Sequence, residues 1–265
     1  MLRFFRQFRQ RLLTDNKFSK YLLYGVGEIV LVVIGILIAL QINTWNKDRE
    51  DRLEERQLLI RLEKELEDDL KNIEYVRSLS EVRIVLSLPV LDSIGENNGI
   101  YVRQWPYFER ARNTFASFPG IESLSLGECF YFILARNQFN PSRITFDEIL
   151  STGKLSIFKN DSLRIALQKH YTEISDLETF EDRLISEVQK SFRDALYSNE
   201  ISTLSHDDSR TILKRMTSPG QLKATLENYV KVTMIFLSPL YYNEDSTYER
   251  TLELIAMIRN QINSE

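Results

Sequence analysis

The stretch YLLYGVGEIVLVVIGILIALQI, residues 21–42, decides how the rest of this 265-residue chain is read. It holds fourteen Leu, Ile or Val and a single acidic or basic residue, Glu28. As a helix it spans about 33 Å at about 1.5 Å per residue, enough to cross the hydrocarbon core of a bilayer. Its aliphatic side chains contribute about −4 to −8 kcal/mol on an insertion scale, against about +3 for a charge at the helix centre, so Glu28 does not prevent insertion. Glu28 also lies in the early turns of the run, where tilt, protonation or local thinning lowers its cost. Tyr21 and Tyr24 stand at one interface and Trp45 at the other, while Lys17 and Lys20 can reach back to head groups. The competing reading is a buried core helix. The length of the run and its nearly unbroken apolar circumference argue against that.

A basic start followed by an apolar run also describes a signal peptide. Here the run is too long for an ordinary hydrophobic region, no small-x-small site lies around residues 41–45, and helical periodicity continues into charged sequence, so a retained signal anchor is expected. Residues 1–20 carry six Lys or Arg and one Asp, a net +5. The whole chain is −4, so the remainder is −4 − 5 = −9. Six basic residues before the span, against Lys47, Arg49 and Arg52 just after it, place the N-terminus in the cytoplasm. The expected location is the inner membrane, single-pass, with the C-terminal part in the periplasm.

Within RFFRQFRQRLL, Phe4, Phe5, Phe8 and Leu12 share one helical side, which suits either an interfacial helix on an anionic leaflet or a disordered basic tail. In the span, Gly25, Glu28, Gly35 and Ala39 fall on one side, and Gly35 with Ala39 forms a small-xxx-small pair. That face suits association with another membrane helix or a second copy; alternatively, Glu28 simply lies near the head groups.

Composition closes off other routes to stability. One Cys cannot pair within the chain, and two His with one Cys are too few for the usual structural zinc sets. Nine Gly and six Pro in a chain that is 43% hydrophobic argue against disorder and for long helices. Residues 43–88 read as a long charged helical stalk in which Leu59, Leu62, Leu66, Ile73 and Val76 recur every three or four residues, while Asp69 and Leu70 break a strict heptad. This stripe needs a partner: either the rest of the domain or a parallel coiled-coil copy. The helix should end before Pro89 or in the turn at residues 95–99.

From residue 89 to 265 the pattern predicts a helical-bundle domain. Trp105, Tyr107, Phe108, Phe115 and Phe118 cluster between two prolines as a lid over the core or a binding lip. Ser125 with Glu128, Thr145 with Glu148 and Ser246 with Glu249 have capping-box spacing, and Gly153 suits a left-handed helix end. The helix containing CFYFILA is expected to be the most buried, with Cys129 a small core residue. Asn160 or Asp161 should cap a helix whose core face is Leu163, Leu167, His170, Ile174, Leu177, Leu184, Val188 and Phe192. His170 is expected as a hydrogen-bonded core histidine, since no metal-ligand partner stands at i+4. Asp207 and Asp208 beside His206 suit an N-cap more than a cation site. Two further helices are expected, with faces Leu222, Leu226, Tyr229, Thr233, Phe236 and Tyr248, Leu252, Ile255, Ile262.

No strand alternation, repeat, phosphate loop or hydrolase motif is present, and the basic residues after the span are interleaved with carboxylates. Nothing implies a cofactor, a metal or nucleic acid as partner; the lipid bilayer is the one partner the pattern names. The blocks KYLLYGVGEIVLVVIGILIALQINTWN (residues 20–46) and TFDEILSTGKLSIFKNDSLRIALQKHY (residues 145–171) resemble a family of single-span membrane proteins of Bacteroidota, a domain of unknown function. The resemblance implies a location and an all-α architecture, and brings no catalytic residues to carry over. The expected function is a membrane-anchored interaction, scaffold or accessory protein. The alternative is a tethered small-ligand sensor or hydrolytic domain with a pocket near Trp105, Tyr107 and His170.

Overall fold

The computed structural model describes residues 17–94, 99–135, 138–201 and 218–264. All secondary structure among these residues is helical, with no strand. The readings of Phe4 to Leu12, of residues 95–98 and of His206 with Asp207 and Asp208 lie outside the described residues, as do the side chains of Lys17, Lys20, Tyr21 and Tyr24. The chain divides into two compact units, Met1–Gln57 and Leu58–Glu265.

In the first unit the described residues belong to helix α1, Lys17–Ile94, 78 residues long. Residues 25–47 are exposed throughout, including Leu31 at 72% and Ile36 at 56%. One helix is therefore long and apolar enough to cross a membrane, and its apolar stretch is not covered by protein among the described residues.

The same helix supplies the centre of the second unit. Leu58, Leu59, Leu62, Leu66, Ile73 and Val76 are fully buried, and every residue from Ser80 to Leu88 is buried. The sequence reading drew a stalk over residues 43–88 and a domain from residue 89. Packing divides the chain between Gln57 and Leu58, and the apolar stripe from Leu58 to Val76 lies in the core of the second unit. The helix continues past the exposed Pro89 to Ile94, with Val90 and Leu91 buried, although an interior proline removes a helical hydrogen bond and costs about 3 kcal/mol.

After α1 come α2 (Ile100–Arg103), α3 (Phe108–Ala116), α4 (Leu126–Leu134), α5 (Ile144–Ser151), α6 (Asp161–Phe180), α7 (Ser186–Ser198), α8 (Pro219–Leu237) and α9 (Thr247–Ser264). Helix α8 packs on α7, and α9 packs on α6. One π-helical segment, Glu181–Ile185, joins α6 to α7, and a second, Ser238–Tyr242, follows α8.

Local signals survive where their partners are local. The capping box of Ser125 and Glu128 is complete, Asn160 caps α6 through the Leu163 amide, and Gly153 closes α5 at φ 69°. Trp105, Phe108, Phe115 and Phe118 are half-buried against the core. Other expectations are corrected. Helix α4 is not the most buried: Tyr131 and Phe132 face outward, and α1 at residues 80–88 takes that place. Leu184 is 45% exposed, because the π segment inserts an extra residue per turn and rotates it off the stripe; Glu181 is buried there instead. Thr145 does not cap α5, whose first residue is Ile144. On α9 the buried face is Thr247, Thr251, Leu254, Ile255 and Ile258, so Leu252 turns outward.

Candidate functional site

Two polar centres are built on the buried part of α1, and neither has the form the sequence suggested. The first surrounds Glu81, whose side chain is completely buried. Its Oε2 accepts from Arg77 at 2.7 Å and from the Thr114 hydroxyl of α3 at 2.5 Å. Its Oε1 accepts from the Tyr242 hydroxyl, and the Arg110 guanidinium stands 3.6 Å away. The second π segment presents its two tyrosines side by side to this centre. Arg77 and Arg110 lie over the Tyr241 ring at 4.8 and 4.7 Å, and Arg110 also donates to the Tyr241 hydroxyl at 2.7 Å.

The lid residues close on the same place. Tyr107 stacks on Tyr242 with ring centroids 3.8 Å apart, and Trp105 meets both rings edge-on at 5.5 Å. Burial, reinforced by Glu81, holds the Tyr242 phenol protonated well above its ordinary range. Both carboxylate oxygens of Glu81 are engaged by these donors, and the centre fastens α1, α3 and the turn before α9.

The second centre lies under the connector from α4 to α5. Glu65, Asp69 and Asn72 stand on successive turns of α1. Asn72 accepts from the Asn140 amide at 3.1 Å, Asp69 from the Ser142 amide at 2.8 Å, and Glu65 from both the amide and the hydroxyl of Thr145, at 3.3 and 2.6 Å. Glu181 of the first π segment accepts from the Phe139 amide at 3.0 Å. The start of α5 is thus capped from α1, and Glu148, the expected capping partner, pairs outward with Arg61 at 2.8 Å.

Of the three residues expected near one pocket, Trp105 and Tyr107 touch each other. Trp105 and Tyr107 belong to the Glu81 centre, whereas His170 is buried on α6 edge-on to Tyr171. The Nε2 of His170 has no partner among the described residues, which corrects the hydrogen-bonded histidine the sequence suggested. Burial, with Arg250 as a lesser cause, lowers the imidazole pKa to about 4, so it is neutral at physiological pH. An open groove of about 390 Å³ is lined by Arg143, Phe146, Leu150, Gln168, Tyr171 and Asp176 among others, and His170 is not part of its lining. Burial pushes the Cys129 thiol up to about 11, so it is not a nucleophile at neutral pH. No cluster of ligands suited to a metal ion occurs among the described residues.

On the apolar stretch of α1, Gly25, Glu28, Gly35 and Ala39 are exposed, as is Trp45 beyond it at 64%. The sequence missed Glu81 and its arginines. It did carry a trace of Asp69, whose acidic side chain interrupts the apolar repeat on the face that the structure buries.

The profile of one protein family, described as a family of unknown function (DUF6090), matches residues 28–92. The matched segment lies within α1 and contains Glu28, Glu65, Asp69, Asn72, Arg77 and Glu81; it does not reach residues 145–171. No curated protein and no solved structure matches the chain.

Proposed function

We propose that the protein is a single-pass inner-membrane protein that presents an all-helical domain for interaction, as a scaffold or accessory subunit. The observation that carries this reading is the exposed apolar helix at residues 25–42. A contiguous apolar surface of this size is stable in lipid and not in water, and a helix satisfies its own backbone hydrogen bonds there. The excess of Lys and Arg in residues 1–20 supports a cytoplasmic N-terminus, with the larger unit on the opposite side of the membrane. The side of the span bearing Gly25, Glu28, Gly35 and Ala39 meets another membrane helix or a second copy, since small residues permit close approach and a lone acid in lipid gains from a polar partner.

Alkaline carbonate washing of native membranes tests the anchor: the full-length chain stays in the pellet, and its release would overturn the reading. A reporter fused after Glu265 reports the side on which the chain ends. Gly35→Cys and Ala39→Cys, oxidised in native membranes, should form a crosslinked species; if neither crosslinks to any helix, association through this face is wrong.

A further inference from the structure

The carboxyl of Asp69 is buried beneath a segment that has no regular structure of its own. Residues 138–143 form no helix, and Pro141 has no amide hydrogen to donate. The segment's amides at Phe139, Asn140 and Ser142 are held by side chains of α1 and of the first π segment. Asp69 Oδ1 takes the last of these bonds, from the Ser142 amide. Its Oδ2 is buried with no partner among the described residues, as is the Tyr171 hydroxyl.

The charged and titratable groups facing Asp69 are mostly acids. On α1 they are Glu65 and the exposed Asp68; on α6 they are Glu178 and the Tyr171 phenol. On the connector, Arg143 lies 5.9 Å over the Tyr171 ring, but its guanidinium is shared between Asp147 and Glu178 at 3.8 Å each. A carboxylate ion in this place lacks water, lacks an adjacent cation and repels its neighbours, so it is more stable with a proton.

We propose that Asp69 is a proton-operated latch: uncharged, it lies closed under the connector, and on losing its proton it draws water to Oδ2 and lifts residues 139–145 from α1. Desolvation raises its pKa to about 7; the Ser142 amide opposes this, and Glu65, Asp68 and Glu178 add to it. Once released into water the carboxyl returns to about 3.9. The closed state binds the proton more tightly, so its advantage is complete at low pH and is lost as pH rises to about 7. The latch therefore opens with rising pH and levels off above that point.

Hydrogen exchange on the full-length chain in lipid nanodiscs, corrected for the intrinsic pH dependence of the chemistry, tests this. Across pH 5–7 the opening constant of the Asn140, Ser142 and Thr145 amides should rise about tenfold per pH unit and then flatten, as release of one proton requires. Asp69→Asn, which keeps an oxygen acceptor and cannot ionise, should abolish the slope; Asp68→Asn should keep it. A flat wild-type profile, or a slope that persists in Asp69→Asn, overturns the proposal. If Asp69→Asn does not fold, the wild-type amides of α8 decide: a slope confined to residues 139–145 supports the latch, and an equal slope in α8 refutes it. These outcomes do not depend on the chain being membrane-anchored.

Discussion

The hydroxyl of Tyr242 donates to Oε1 of Glu81, a carboxylate 161 residues earlier that no solvent reaches. The bond exists because a π-helical segment after α8 swings two consecutive tyrosines against α1. It ties the turn before α9 to the central helix and places the aromatic lid over a compensated charge.

Removing that charge should be costly. Glu81→Ala leaves the largely buried Arg77 without its counter-ion and should destabilise the larger unit by about 3–5 kcal/mol. Tyr242→Phe removes one charge-assisted hydrogen bond and should cost about 1.5–3 kcal/mol. Denaturant unfolding in detergent measures both; equal and negligible losses would mean that Glu81 is not the fastening.

The boundary between the two units predicts a contrast along a single helix. Leu66→Ala opens a cavity in the core and should cost about 2–5 kcal/mol. Leu53→Ala, at a position 56% exposed in the first unit, should stay within about 0.5 kcal/mol of wild type. Comparable losses at the two positions would place the core boundary elsewhere.

The pH dependence of stability should contain an acid limb from His170. Its folded pKa, about 4, lies below its ordinary value of about 6.5, so the folded state binds fewer protons between these values. Its contribution is fully present above about 6.5 and is lost as pH falls toward 4. His170→Leu should flatten this limb and leave stability at pH 7 unchanged or higher, because the buried Nε2 it removes has no partner among the described residues. Because a second buried group opposes it over this range, the limb is read as the difference in thermal unfolding between wild type and His170→Leu from pH 4 to 7. Asp69 acts in the opposite sense over the same window, so Asp69→Asn should steepen the acid limb.

At the end of α5, Gly153 holds a left-handed φ of 69° with open space where a side chain would stand. Gly153→Ala should therefore cost about 1 kcal/mol through backbone conformation alone, with no clash. A change in melting temperature much beyond that would reveal packing at this turn.

How far the sequence could be read depended on the distance between cause and effect. At Ser125, Asn160 and Gly153 the side chain acts on backbone within a few residues, and the expected caps formed. The faces of α6 and α8 were legible because helical period and burial coincide over many residues. The polar centres were not. Glu81 looks like any other acid in a charged helix until Thr114, Arg110 and Tyr242 are folded onto it. Likewise, the spacing of Thr145 and Glu148 imitates a cap that Glu65, 80 residues away, supplies instead.

The amino-acid order by itself determined the helical class, the exposed apolar run near the start and the local helix ends, because hydrophobic transfer and short-range hydrogen bonding need only neighbouring residues. Only the tertiary structure decided that α1 becomes the core from Leu58 onward, that the first π segment turns Leu184 out and Glu181 in, and that Asp69 and Glu81 lose their water. Those outcomes follow from which distant surfaces meet. Burial turns an ordinary surface acid into either a fastening or a group that holds its proton, and burial is a property of the assembled chain.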